Sequence, residues 1–407
     1  MQDVNPEGAS AKTRIVIFAV PYSPNLGDGI IAECLAAGLT THNGVTVTHR
    51  DVSGRQEFGS VVEGNRARLL TLLDRLPLWI AQRLVKWRFG RILPTVREDW
   101  REAIASADIV MIGGGQLFSD THLNFCLKIA AVADLAREVG RPVVVYGAGV
   151  ARNWTPQGRD LFARLLCCDL RLVGLRDQRS IDNWTDQMQG GPAPVLTRDP
   201  GLLAAATYGK DDAGSKGGIG LCVTSPQVLT HHGGSRATSQ LDVMAEIAER
   251  IATEGHRVSL FCNGAAEDRD TVAGLAAHPL IAPLVTQGQI AIAPFPDRPR
   301  DLATTIAAFD AVIAYRLHAC IVAFAFKRPV IGLGWDDKLE SFFASADLLA
   351  NFLPAKQINA NNVFNRLSAA FENSVDTDKA HEAEIEARST LGLVLETLEN
   401  QTLEYKG

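Results

Sequence analysis

A chain of 407 residues is too long for one ordinary hydrophobic core, so its length points to two domains or slightly more. Apolar residues make up 46% and charged residues 21%, the balance typical of a soluble globular protein. A net charge of −6 gives no support to a global nucleic-acid role.

The N-terminal residues are acidic and polar as far as Thr13, after which short apolar runs alternate with longer helical patterns to the end of the chain. Strands are expected at Arg14–Val20, Thr46–Arg50, Ile109–Ile112, Pro142–Tyr146, Leu170–Leu175 and Val195–Thr197. A second series follows at Gly218–Val223, Arg257–Cys262, Ile290–Ile292, Ala311–Ala314 and Val330–Leu333. Near-continuous Val/Ile/Leu strands indicate parallel sheets covered by helices on both faces. Between the two series, Tyr208 to Gly218 is polar and glycine-rich, the composition of a linker. The expected fold class is therefore α/β, with two doubly wound, Rossmann-like domains facing a cleft. Their boundaries are 1–207 and 219–372, with 208–218 joining them. The segment 373–407, helical and polar from Thr377 to Glu404, is expected to pack back on the first domain.

The first strand runs into Pro21-Tyr-Ser-Pro-Asn25-Leu-Gly27-Asp28-Gly29 and then an apolar helix from Ile30. Glycines at 27 and 29 permit close backbone approach, while Asn25 and Asp28 supply hydrogen bonds or a helix cap. The loop is not a dinucleotide fingerprint, because it lacks G-x-G-x-x-G. Gly113-Gly114-Gly115 and Gly147-Ala-Gly149 read as two further glycine loops at strand ends on one rim. At Gly174-Leu-Arg176-Asp177-Gln-Arg179-Ser180 another strand enters a helix, with Asp177 placed to cap it or to hold Arg176. Asp199 repeats the acid at a strand end, and an ordinary turn before Pro200 accounts for it as well. His231-His232 reads as a surface loop. The cysteines at 34, 126, 167, 168, 222, 262 and 320 include no Cys-x-x-Cys pair, so the thiols read as reduced and buried, and no metal site is expected.

The most informative stretch is Ala314-Tyr-Arg316-Leu-His318-Ala319, followed by Arg328-Pro-Val-Ile-Gly-Leu333 and Asp337-Lys338. An apolar strand ends at Arg316, and a helix over roughly Ala319 to Phe326 should begin there. Strand ends and helix N-termini of α/β sheets bind anions. An arginine adds a fork for carboxylate or phosphate, and a histidine can carry a proton near neutral pH. The expectation is a site for a phosphorylated or carboxylated small molecule. His318 remains open at this point to a structural role as well as a catalytic one.

Together these pieces resemble the polysaccharide pyruvyl transferase family. The resemblance rests on Asn25-x-Gly27-Asp28, Gly113–Gly115, Leu175-Arg176-Asp177-x-x-Ser180, Asp199-Pro200, Arg316-x-His318-Ala319 and the stretch from Pro329 to Lys338. The elements occur in the family's order and cover most of the chain from Arg14 to Phe342. The resemblance implies a two-domain fold like glycosyltransferase type B, with phosphoenolpyruvate as donor. It also implies a sugar acceptor, two of whose hydroxyls become bridged by a pyruvate ketal. Read onto this chain, Arg316 would clamp one anionic group of the donor and Arg176 or Lys338 the other. His318 would be the acid, and Asp28 would orient or deprotonate the acceptor. Asn25, Gly27, Gly114, Gly115 and Ser180 would complete the substrate contacts. Phosphoenolpyruvate is then a co-substrate, and no further cofactor or metal is called for.

Two other functions stay open: a nucleotide-sugar glycosyltransferase, for which Glu267 and Asp268 could hold a donor ribose, and a non-catalytic scaffold. The segment Arg66–Arg91 carries basic residues at 66, 68, 75, 83, 86, 88 and 91 against one acid, Asp74, interleaved with Leu, Trp and Phe. It reads either as a domain helix with solvated arginines or as a basic amphipathic helix lying on an anionic membrane. The second reading would suit a lipid-linked acceptor. The run Ile15–Val20 is too short for a signal-peptide core and no stretch is long enough to span a bilayer, so the expected location is cytoplasmic, with peripheral contact at the inner face.

Overall fold

Strand β1 (Thr13–Ala19) reads Thr-Arg-Ile-Val-Ile-Phe-Ala and is buried at every position from Ile15 onward. A strand buried on both faces has to be covered twice, and the chain does this in two separate sheets. The computed structural model describes residues 13–59, 76–209, 217–226, 237–372 and 377–404. The linker segment 210–216, residues 66–75 of the basic stretch, and His231-His232 lie outside them.

Each sheet has six strands, all paired in parallel. The first runs in the spatial order β2 (Val45–Asp51), β1, β3 (Ile109–Phe118), β4 (Val143–Val150), β5 (Leu170–Leu175), β6 (Val195–Leu196). The second runs β12 (Phe352–Leu353), β11 (Val330–Leu333), β10 (Ala311–Ala314), β7 (Ile219–Cys222), β8 (Val258–Phe261), β9 (Ile290–Ile292). From β1 the chain steps outward to β2 and then returns to lay β3 on the other side. From β7 it steps to β8 and β9 before returning to lay β10 on the other side. The order therefore reverses between β1 and β3 and again between β7 and β10. Loops diverge above such a reversal and leave a crevice at the carboxyl ends of the strands.

Two expectations are corrected and one element is added. The glycines 113–115 and 147–149 are not loops: they lie inside β3 and β4. Gly114, Gly115 and Gly147 hold positive φ, and the β3–β4 register shifts between Gly115 and Phe118. Glycine here bends a strand, which a reading of loops at strand ends does not distinguish. Of the cysteines, Cys167 is exposed and Cys168 half-buried, while the other five are buried. The two-residue edge strand β12 was not anticipated, being too short to show a pattern.

The apolar core falls into three clusters. One lies on the far face of the first sheet, around Phe18, Trp100, Phe118 and Trp184, and another on the far face of the second sheet, around Leu221, Met244 and Leu260. The third is shared: Ile17, Ile30 and Leu35 of the first half pack with Ile306, Ile321 and Phe324 of the second. The two sheets thus share one apolar core. The helix Thr377–Glu404 adds Ala387, Leu391 and Val394 to it. That helix lies against the first half: Tyr146 Oη is 2.7 Å from Thr390 Oγ1, and Arg171 donates to the Thr397 carbonyl at 2.8 Å. Leu391 fills the space that the missing side chains of Gly38 leave beside Leu203. Leu391→Ala is expected to destabilise the protein by about 2–5 kcal/mol, read as a lowered urea midpoint.

Candidate active site

Strand β10 is four buried apolar residues, and the helix Leu317–Ala325 starts at once behind it, with Arg316 as its N-cap in extended conformation (φ −83°, ψ 120°). The turn carries Arg316 and His318 out of the sheet at the β7/β10 reversal. Facing it, the loop after β1 carries Asn25 at the N-cap of the helix Leu26–Thr40, at the β1/β3 reversal. The first turns of the two helices meet. A Cβ built on Gly27 would lie 2.5 Å from both Cβ and Nδ1 of His318, closer than real side chains approach. Glycine at 27 is required by this approach.

His318 Nδ1 lies 3.6 Å from Asp28 Oδ1, an ion-pair distance across the two halves of the molecule. Its Nε2 is buried and makes no hydrogen bond with the protein. Burial pushes the imidazole down to about 4, with Asp199 opposing and Arg176, Lys338 and Arg316 reinforcing the shift. His318 is therefore neutral at pH 7 in the free protein, although its surroundings are strongly charged.

Arg316 is anchored from behind. Its Nη2 donates to Asp268 Oδ2 at 2.6 Å, and Asp268, 0% exposed, accepts the Ser225 N–H at 2.7 Å. Burial pushes the Asp268 carboxyl up, opposed by Arg316. The Arg316 Nε is also buried without a hydrogen-bond partner in the protein. Arg176, 5% exposed, is held on three sides: Nε by Asp177 (3.4 Å), Nη1 by Asp199 (3.3 Å) and Nη2 by Gln116 Oε1 (2.9 Å). Asp177 also caps its helix through the Ser180 N–H, and Asp199 caps the turn at Gly201. Each carboxylate thus fills both of the roles open in the sequence. Lys338 is less constrained, with Nζ 3.8 Å from Asp336 Oδ2. Partial burial, with Arg176 and Arg316 nearby, pushes its ammonium down against the pull of Asp336 and Asp28.

His318, Arg316, Asp28, Arg176 and Lys338 are thus brought together, with Gly27 beneath them. Gly115 borders the group, since a Cβ there would lie 3.9 Å from Asp28 Oδ1. Three expected contacts look elsewhere. Gly114 packs on Ile31. Ser180 is buried, and its Oγ accepts the Val150 N–H at 3.1 Å. Asn25 does not cap its helix with its side chain; its Oδ1 accepts from Asn263 Nδ2 at 3.3 Å, while the Leu26 N–H donates to the Asn263 carbonyl. Asn263, Gln116 and the anchoring role of Asp268 were missed, because single polar residues after strands carry no pattern in the sequence. Asp268 faces inward toward Arg316, which leaves it unsuited to a donor ribose.

Leu26 and Glu33 of the helix Leu26–Thr40 face a cavity of about 770 Å³. Tyr22, Arg55 and Phe58 line it from the first half and Arg269 and Arg298 from the second. Burial pushes the Glu33 carboxyl up, although Tyr208 donates to it at 2.7 Å. Among the described residues no cluster of three or more His, Cys, Asp or Glu is arranged for a metal ion, and no helix is long and apolar enough to cross a membrane.

A family model described as polysaccharide pyruvyl transferase matches residues 25–337. No curated protein matches the chain. Among solved structures, a putative UDP-N-acetylglucosamine 2-epimerase from Listeria monocytogenes is 12% identical with a TM-score of 0.55, covering 97% of this chain and 98% of its own. The Rickettsia bellii UDP-N-acetylglucosamine 2-epimerase is 13% identical with a TM-score of 0.55, covering 96% and 98%. The Neisseria meningitidis enzyme bound to UDP-GlcNAc is 11% identical with a TM-score of 0.52, covering 95% and 100%. These likenesses identify the fold as the two-domain arrangement of glycosyltransferase type B.

The contact at the centre of the site can be tested directly. Gly27→Ala must push His318 or its helix aside and is expected to cost about 1–3 kcal/mol in chemical denaturation. The cost should shrink in a His318→Gly background, where the clashing atoms are gone.

Proposed function

The chain belongs to the polysaccharide pyruvyl transferase family, and from that premise we propose that it moves the enolpyruvyl group of phosphoenolpyruvate onto two hydroxyls of a saccharide. The product is a pyruvate ketal and the leaving group is phosphate. The observation that carries this reading is the cationic corner formed by buried Arg176 and part-buried Arg316 and Lys338 around a histidine whose Nε2 finds no partner in the protein.

Two anionic groups on a small donor require cations held at fixed positions in a poorly solvated place. Arg316, fixed by Asp268, presents its unpartnered Nε to one of them. Lys338 takes the other, being held among the described residues only by a 3.8 Å pairing with Asp336. Arg176, tied to three partners, supplies fixed positive charge behind them.

The donor's negative charge should raise the His318 pKa from its low resting value, so that the imidazole gains a proton as the donor binds. That proton goes to the donor's methylene carbon, which becomes a methyl group and leaves the central carbon electrophilic. One acceptor hydroxyl adds there, and its proton passes to Asp28 or back to His318. The bond from carbon to the phosphate oxygen then breaks, phosphate departs with the bonding pair, and the second hydroxyl closes the ring and yields its proton to the phosphate. The neighbouring cavity, with Tyr22, Phe58 and several hydrogen-bonding charged groups, suits further sugars of the acceptor.

Arg316→Ala and His318→Gln are each expected to retain the fold and to lower kcat/KM for phosphate release in the presence of acceptor by about 10²–10⁴-fold. Full activity in purified His318→Gln would remove the acid role. Stabilisation of the protein by a nucleotide sugar, and not by phosphoenolpyruvate, would favour glycosyl transfer instead.

A second expectation concerns protons. Titration calorimetry at pH 6 in buffers of different ionisation enthalpy should show more proton uptake on phosphoenolpyruvate binding in the wild type than in His318→Gln. Equal uptake would mean that the imidazole stays neutral in the complex.

A further inference from the structure

Among the described residues, the helix Leu78–Ser106 is anchored most firmly along its later turns. Trp100, Ala103 and Ile104 are buried there, Arg50 pairs with Asp99 at 2.7 Å and Arg97 with Glu138 at 2.8 Å. In the earlier turns, Ala81 is the one buried residue before Trp100. Trp79 and Trp87 are 65% and 61% exposed, and Leu78 and Leu84 are also exposed. Two large indoles held in water on a protein with otherwise well-filled cores need a reason.

The spacing supplies one. Trp79, Arg83, Trp87 and Arg91 follow one another at intervals of four residues, so they form one stripe along the outward face. The Arg91 guanidinium lies over the Trp87 ring at 4.6 Å. Lys86 and Arg88 flank the stripe and are exposed. From Leu78 to Arg97 the helix has no acidic residue. In a chain of net charge −6 this is a local reversal of sign, joined to exposed tryptophan and leucine.

We propose that this face docks on an anionic lipid bilayer. Tryptophan prefers the boundary between headgroups and acyl chains, and arginine can bury its stem there while its charge meets phosphate. A nucleic acid would satisfy the cations and leave Leu78, Trp79 and Leu84 in water, so a lipid surface accounts for more of the face. Its position is also apt. Just beyond the stripe, Ile92 and Val96 pack against Gly54. The residues immediately after Gly54, Arg55 to Gly59, line the cavity between the two halves. A membrane-docked helix would hold that cavity near the lipid surface, where a lipid-linked acceptor is presented.

The test is co-sedimentation of the full chain with phosphatidylcholine vesicles and with vesicles containing phosphatidylglycerol. Binding is expected only to the anionic vesicles and should weaken in high salt. It should fall about fivefold for each cation removed in Arg83→Gln and Arg91→Gln, and more than tenfold in the Trp79→Ser/Trp87→Ser double variant. All these positions are exposed, so circular dichroism and melting should match the wild type. Failure to bind either vesicle, equal binding to both, or binding unchanged by the substitutions overturns the proposal. So does a dimer in sedimentation equilibrium that the tryptophan substitutions dissolve, since a second copy of the chain would then cover the face. The assay contains neither donor nor acceptor, so its failure leaves the transferase reading standing, and loss of transfer in the Arg316 variant leaves the docking result standing.

Discussion

The constraint on which the rest of the site depends is the meeting of two helix starts, one from each half of the chain, at Gly27 and His318. A helix start exposes N–H groups and partial positive charge, so bringing two together with several cations builds a place that favours a negative guest. Only a residue without a side chain lets them come this close. The shared apolar core and the pairing of Asn25 with Asn263 hold the approach from either side. An interface this apolar also resists the easy relative motion expected of domains joined by small polar contacts.

Charge in the corner is balanced asymmetrically. Asp268, Asp177 and Asp199 position arginines, while Asp28 lies 3.6 Å from the histidine. The arginines are therefore pre-set in direction, and little reorganisation remains when a ligand arrives. Burial in this corner holds the histidine neutral at pH 7. A negative charge entering beside such a group favours its protonated form.

Much of this was legible in the sequence because it rests on sharp boundaries. The run Ala311–Ala314 ending at Arg316 announced a strand end with a cation on it, and the alternation of apolar runs announced two parallel sheets. The helix after it starts at Leu317, two residues before the expected start, with Arg316 at the N-cap position. What was not legible depends on contacts between distant segments. Nothing around Asp268 says that it will face Arg316 rather than a ligand. The glycines of β3 and β4 look like loop residues because a bend inside a strand uses the same residue as a turn. Asn25 reads as a cap, and only the neighbouring half of the molecule, through Asn263, gives its side chain another use.

The helix Thr377–Glu404 packs on the core shared by both halves and comes at the end of the chain. During synthesis the residues that build the first sheet are all made before Leu391, Val394 and Thr397 exist. The nascent first half therefore leaves the ribosome with the groove beside Gly38 and Leu203 uncovered and the Tyr146 hydroxyl without its Thr390 partner. Domains made in order can fold in order only if each is complete when it emerges. Here the helix that completes the packing around Gly38 is made last, after the residues of both sheets.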